Sequence, residues 1–500
     1  MIYLKNECSE YSYEIEDVIK LFFRQQQIIK IDEPLNNYSS EALILCTDFI
    51  DDMGNKNIKV NIKNDSKSKE ICVCSQQKES LEPHEAKSQV RKLLKRELYK
   101  LISDFFDRKL PWGVLTGIRP AKLVNEMLDN NFTHQQVIFE LKDNYFVSNK
   151  KAQLLYEVAQ NQRHLFEKTP GNAISLYIGI PFCPTRCLYC SFSSSTLGQY
   201  TKMVDLYVDT LIRELSFTAS LLRDYNLIIE SIYIGGGTPT SLNVMQLSRL
   251  LSSIEQLFDL SYIREYTLEA GRPDTIDEDK LKLIAASKVD RISINPQTMN
   301  NDTLRLIGRQ HTAQDIISAY NLARKEGFSN INMDIISGLP GENVEMFLHT
   351  LKEIEKLKPD SLTVHTMSVK RASRLMEEQK LNMLDEQYNN VEDMVDLARQ
   401  YAQNMELVPY YLYRQRNILG NQENIGYCRK GCESLYNIQI MEERQSIIAC
   451  GAGGVSKVVF TDNRIERCFN VKSVEEYIAR IEEMLTRKSQ LIQSRYICPQ

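Results

Sequence analysis

SLYIGIPFCPTRCLYCSF, residues 175–192, holds the two signals from which the rest of the chain can be read. Its first six residues are a short apolar run of strand character. Cysteines at 183, 187 and 190 follow at once, three thiols on one loop at spacings of four and three. Such a trio suits three irons of a cubane cluster, whereas structural clusters take four protein ligands. With only three thiolates close in sequence, the fourth iron stays open to a small molecule, as catalytic metal centres keep a position open. Zinc is the competing metal, but it would need a fourth ligand, and no further His or Cys lies near.

Working outward, the strand at 175–180 begins a regular rhythm. Strands are predicted at SIYIGG (231–236), EYTLEAG (265–271), RISINP (291–296), NINMDII (330–336) and SLTVHTM (361–367). Between them lie helical patterns over 204–222, 244–258, 278–287, a stretch up to Glu326, and 344–357. Strands alternating with helices of this length imply βαβ units, a parallel sheet and right-handed crossovers. Six such units predict an α/β fold built on a partial, three-quarter TIM-like (β/α)6 barrel. The active site of such a sheet lies beyond the C-terminal ends of its strands.

The flanks read differently. Residues 1–168 mix β-like runs at 42–49, 58–63 and 69–74 with an amphipathic helix over 86–106, and form an expected N-terminal α+β domain. TPGN (169–172) punctuates the chain, and the barrel is expected over 169–370. Residues 371–500 form an expected C-terminal α+β extension covering the substrate. It comprises a helix over 383–407, a tyrosine-rich strand or loop at 409–415, a strand–glycine turn–strand at 446–460 and a helix over 473–488.

Composition narrows the function classes. A net charge of −5 and a pI near 5.9 give no electrostatic case for nucleic acid as the main partner. No stretch approaches the roughly 18 uninterrupted apolar residues of a membrane span. The first residues show no signal-peptide pattern, so a cytoplasmic location is expected. In that compartment the twelve cysteines are thiols or metal ligands rather than disulfides. Cys8, Cys46, Cys72, Cys74, Cys450, Cys468 and Cys498 are expected as small buried hydrophobes.

Tyr177, CPTRCLYC and Phe192 resemble the cluster loop of the radical S-adenosylmethionine (SAM) superfamily. Four further motifs resemble its oxygen-independent coproporphyrinogen III oxidase (coproporphyrinogen dehydrogenase) family: GGGTPT (235–240), LEAGRPDT (268–275), RISINPQTMNNDTLRLIGRQHT (291–312) and NMDIISGLPGE (332–342). Each falls at a predicted strand end. PWGVLTGIRPAK (111–122) and YLYRQRNILGNQENIGY (411–427) are similar to longer anaerobic members.

The resemblance implies a [4Fe–4S] cluster on Cys183, Cys187 and Cys190, with SAM as the second cofactor. Gly235, Gly236 and Gly237 let backbone approach a ligand closely; with Thr238 they would take the methionine amino group. Glu269 and Asp334 offer carboxylates to ribose hydroxyls or to the ammonium. Gln297 would hydrogen-bond the cofactor, and Arg309 would pair the SAM carboxylate with its planar fork. Tyr177 and Phe192 flank the site.

In the resembled family a SAM-derived radical removes a hydrogen from a propionate of coproporphyrinogen III, and loss of an electron and CO2 leaves a vinyl group. Done twice, this yields protoporphyrinogen IX. The expected partners are a tetrapyrrole and an electron donor such as flavodoxin or ferredoxin. Arg119, Lys122, His365, Lys370 and Arg371 are the candidate substrate contacts, followed by Arg414 and Arg416, with Tyr410, Tyr411 and Tyr413 as a possible wall. No residue is assigned as acid, base or nucleophile.

One position departs from the pattern. The family's best-known members carry another cysteine where this chain has Phe192, and phenylalanine there is similar to the haem-chaperone branch. The chaperone's His-Asn pair before Tyr-Trp is absent, and the only tryptophan is Trp112. A haem chaperone, a radical SAM enzyme on another substrate and an iron–sulfur electron-transfer protein therefore stand as alternatives. The last predicts four cysteine ligands and no glycine-rich strand end.

Overall fold

A computed structural model describes residues 2–23, 27–32, 42–50, 56–64, 66–74, 83–190, 195–370, 373–377, 384, 387–415, 417–462 and 464–496. The chain divides into two compact units: Met1–Ile118 with Glu126–Tyr156, and Arg119–Asn125 with Glu157–Gln500.

The larger unit is an α/β fold organised on one sheet. Its strands are β1 (Ala173–Ile180), β2 (Ile228–Gly236), β3 (Glu265–Glu269), β4 (Arg291–Ser293), β5 (Ile331–Ser337) and β6 (Ser361–Thr366), then β7 (Val408–Tyr413), β8 (Asn424–Cys428), β9 (Ser446–Cys450), β10 (Val455–Val459) and β11 (Ile465–Phe469). They lie in the order β7-β8-β6-β5-β4-β3-β2-β1-β9-β10-β11. The six expected strands β1–β6 are adjacent and all parallel. Alternation explains the two faces. Ile174, Leu176, Ile178 and Ile180 are fully buried on one side of β1, and Ser175, Tyr177 and Gly179 point to the other.

Helices cross over between these strands, and polar caps set their starts. Asn243 with Gln246 and Thr312 with Asp315 form capping boxes, and Asp277 and Asn343 each accept from the third helical amide.

The C-terminal residues extend this sheet at both edges. β8 pairs antiparallel with β6, and β9 pairs parallel with β1. The helix expected at 473–488 is two helices, Val474–Ala479 and Ile481–Tyr496. The second is fastened by a fully buried ion pair, Lys488 Nζ to Glu214 at 2.8 Å. A further helix, Leu435–Glu442, begins at the N-terminal end of β3, where Glu265 accepts from the Ser434 hydroxyl and the Tyr436 amide, both at 2.8 Å. A carboxylate at a helix N-terminus offsets the unpaired amides and the positive dipole end there.

In the smaller unit a five-stranded sheet runs in the order Ile28–Lys30, Ile2–Asn6, Ala42–Ile50, Lys56–Lys63, Ser68–Cys74. Helices Ser12–Phe22 and Pro83–Phe106 supply its core, with Ile15, Val18, Ile19, Leu94, Leu98 and Ile102. The two short N-terminal strands and the helix after the first of them are additions to the sequence reading; three and five residues are too few to display a period.

Cys8, Cys46 and Cys450 are buried as expected, but Cys72 is exposed and Cys468 half-buried. Both lie on the outermost strand of their sheets, one face of which meets solvent. The side chains of Cys74 and Cys498 lie outside the described residues. Among the described residues, no helix is long and apolar enough to cross a membrane.

Candidate active site

The C-terminal ends of β1–β5 bring the quoted motifs together. From β1 the chain runs through Pro181 and Phe182 into the cysteine loop, while β2 ends beside it in the glycine triplet. The Gly237 amide donates to Ile180 O and the Thr238 amide to Phe182 O, both at 2.7 Å. Cys183 Sγ lies 3.5 Å from Thr238 Oγ1. Only glycine fits here: a Cβ on Gly237 would come within 2.5 Å of Phe182 O, and Gly236 sits at φ +109° against the Tyr177 hydroxyl.

Glu269 ends β3. It accepts from the Tyr233 hydroxyl at 2.5 Å and from the Gly236 amide, and burial raises its carboxyl to about 7. Gln297 lies past β4, buried at φ +67°, with its amide on Asp334 O at 2.9 Å. Asp334, on β5, is partly buried. Burial alone would raise its carboxyl, but hydrogen bonds from His365, Asn332 and Thr363 outweigh this and hold it below the usual range. His365 Nε2 is 3.6 Å from Asp334, and its Nδ1 meets the Tyr413 hydroxyl at 3.2 Å.

Arg309 is buried, with its guanidinium donating to Asn295 O at 2.5 Å and to the Tyr189 hydroxyl at 3.3 Å, beside Cys187. Its Nε has no partner among the described residues. Lys370 lies beside Cys190, its ammonium held below the ordinary lysine range by burial.

A second set of residues, inside the quoted motifs but not singled out by sequence, fastens the cysteine loop. Arg272 donates to Asp274 at 2.7 and 3.0 Å and to the Thr185 hydroxyl at 2.7 Å. Thr185 in turn donates to Gly308 O at 2.9 Å, and His311 completes the group on Asp274. A buried arginine bridging two loops has no periodicity, so only its place in GRPDT could have drawn attention to it.

Other expected contacts lie elsewhere. Arg119 and Lys122 pair with Glu443 at 2.7 and 3.6 Å. Glu443 precedes β9, which runs parallel to β1, so these cations sit at the opposite end of the strands from the cysteines. Arg414 is buried and holds Asn421 at 2.5–3.0 Å, a loop clamp. Tyr410 and Tyr411 are buried in packing, and only Tyr413 reaches His365. Phe192, Arg371 and Arg416 lie outside the described residues.

Among the described residues, no three Cys, His, Asp or Glu side chains converge to hold a single ion. A cubane takes one thiolate per iron, so its ligands need not meet at a point. Three cysteines on one loop, none in a disulfide, a glycine strand end beside them and a buried Arg309 Nε without a partner among the described residues fit a cluster with a small zwitterion bound against it.

This fold and this strand-end constellation define a radical SAM protein, and the radical SAM superfamily model matches residues 177–354. The oxygen-independent coproporphyrinogen-III oxidase-like protein HemZ of Bacillus subtilis is 43% identical over 387 residues, 75% of this chain and 76% of that one. The heme chaperone HemW of Lactococcus lactis is 31% identical over 336 residues, 65% of this chain and 80% of that one. The solved coproporphyrinogen III oxidase HemN of Escherichia coli, a radical SAM enzyme, superposes with a TM-score of 0.50 at 22% identity, over 65% of this chain and 73% of that one; it shows the fold. The chain belongs to the radical SAM superfamily, in the family of oxygen-independent coproporphyrinogen-III oxidase-like proteins. Its cofactors are a [4Fe–4S] cluster and SAM.

Proposed function

We propose that the protein is a radical SAM oxidoreductase that converts two propionates of coproporphyrinogen III to vinyl groups without oxygen, giving protoporphyrinogen IX. The observation that carries the site is the 3.5 Å approach of Cys183 Sγ to Thr238 Oγ1, which seats the cysteine loop against the glycine strand end. The cluster and SAM, when bound and reduced, supply a 5′-deoxyadenosyl radical.

Cys183, Cys187 and Cys190 hold three irons. The Gly235–Thr238 backbone takes the SAM amino group, the Arg309 fork its carboxylate, and Glu269, Gln297 and Asp334 orient the rest. Tyr177 closes the floor behind Gly236. His365, held by Asp334 and Tyr413, and Lys370 face a substrate carboxylate, and the described part of the C-terminal extension would shield the site from water. Support for the substrate comes from the 43% identity to the coproporphyrinogen-III oxidase-like relative. A second reading, haem delivery, is supported by the 31% identity to the chaperone relative.

The test is anaerobic. The reconstituted protein receives dithionite, SAM and coproporphyrinogen III, and 5′-deoxyadenosine and carboxyl loss are followed by mass spectrometry. Deoxyadenosine with protoporphyrinogen supports the oxidoreductase. Deoxyadenosine with coproporphyrinogen unchanged defeats it and directs attention to haem binding.

A further inference from the structure

A cleft of about 710 Å³ opens against the cysteine loop, lined by Pro184, Thr185, Arg186, Thr196, Arg305 and Arg374 with Gly308, Arg309 and Gln310. Four of these are arginines and none is acidic, in a chain whose net charge is −5. Of the described residues assigned to SAM, Arg309 borders it, and the glycine triplet, Glu269 and Asp334 do not. It reaches the cysteine loop at Gly308, where a Cβ would stand 3.6 Å from Arg186 O and 4.0 Å from Cys187 Cα. The carboxylates that neutralise part of it are solvent-facing: Glu377, paired with Arg186 at 3.0 Å, is 50% exposed, and Asp302, paired with Arg305, is 87% exposed. Exposed pairs contribute little to stability, so exchanging them for a visitor's carboxylates costs little.

A cluster held by these cysteines must receive one electron from outside for each SAM cleaved, and the electron must arrive close to the cysteine loop. We infer that the arginine cleft is the docking face for an acidic one-electron carrier protein. Its carboxylates engage Arg186, Arg305 and Arg374 and bring its redox group to the Gly308–Cys187 wall. Opposite charge speeds the encounter and fixes its orientation, and it weakens with salt. The inference rests on the reading that Cys183, Cys187 and Cys190 hold the cluster, and its test separates the two.

The reconstituted full chain is assayed for 5′-deoxyadenosine with three reductants, dithionite, reduced flavodoxin and reduced ferredoxin, and its binding to each oxidised carrier is titrated by calorimetry. Arg305 lies on the helix Asn301–Leu306, where its exposed side chain pairs with the exposed Asp302. Arg305→Glu should raise the carrier concentration at half-maximal rate at least fivefold at low salt and flatten its salt dependence. Arg305→Gln should do so by less, and Arg213→Glu on the helix Val204–Asp224 should have no effect. Dithionite-driven cleavage should be equal in all of them. Equal carrier dependence in native and Arg305→Glu protein overturns the inference, as does failure of both carriers where dithionite succeeds. Failure of dithionite itself in the native protein overturns the cofactor reading and the docking face with it.

Discussion

The Tyr233 hydroxyl donates a 2.5 Å hydrogen bond to Glu269 Oε1 between the neighbouring strands β2 and β3, and the Gly236 amide donates to the same carboxyl. The bond ties the glycine strand end to the first acidic residue of the site. It also places a carboxyl of raised pKa where a cofactor hydroxyl or ammonium would need an acceptor.

Burial raises Glu269 to about 7, so the folded chain binds a proton that the unfolded chain releases near 4.5. The stabilisation from this group is complete below the unfolded value and is lost as pH rises through about 7. SAM should therefore bind more tightly as pH rises through 7, with a proton released on binding. Glu269→Gln should weaken SAM by about 2 kcal/mol, roughly thirtyfold, and remove the pH slope. Calorimetry in two buffers of different ionisation enthalpy checks both; a slope unchanged in the variant would exclude Glu269.

Replacing Cys183, Cys187 or Cys190 by Ala should each abolish the reconstituted cluster. Iron and sulfide analysis with the visible absorption spectrum reads the loss. A full complement of iron in Cys187→Ala would refute that ligand.

Gly237→Ala should stop SAM cleavage, because the new Cβ would meet Phe182 O at 2.5 Å and Ile180 O at 2.9 Å and push the cysteine loop from the glycine strand end. Backbone on both sides leaves nothing flexible to yield. Thermal unfolding together with SAM titration separates a local displacement from general collapse; undiminished SAM binding would contradict the close approach.

Arg309→Lys should lower SAM affinity at least tenfold, since an ammonium cannot reach Asn295 O, the Tyr189 hydroxyl and a ligand carboxylate at once. Binding of decarboxylated SAM should differ little between native and variant protein. Equal loss for both ligands would assign Arg309 to packing instead.

Lys488→Met should destabilise the larger unit by about 3–5 kcal/mol, because it leaves the Glu214 carboxylate buried without its cation. Three donors would remain on Glu214: Tyr477 at 2.5 Å, the Gly451 amide at 2.7 Å and Asn470 at 2.8 Å. Adding Glu214→Gln should restore most of the loss. Urea unfolding of the single and double variants measures the coupling.

Much of this site could be read from local order. The cysteine spacing, the glycines of GGGTPT and the alternation of 175–180 depend on covalent neighbours and on the two-residue period of a strand. Because the barrel repeats strand and helix, the motifs also had to fall at one end of the sheet. Glu269, Gln297, Arg309 and Asp334 could thus be placed near one another before any coordinates.

Tertiary structure alone decided what local order does not encode. Arg119 and Lys122, cations in a suggestive motif, went to Glu443 at the far end of the strands. The tail became five strands of the barrel's own sheet, and Lys488 found Glu214, 274 residues away. A charge carries no period, and its partner is whichever opposite group the packed backbone sets within reach. The sequence by itself determined the repeating units and the loops that carry cofactor chemistry; packing decided which distant charges face one another.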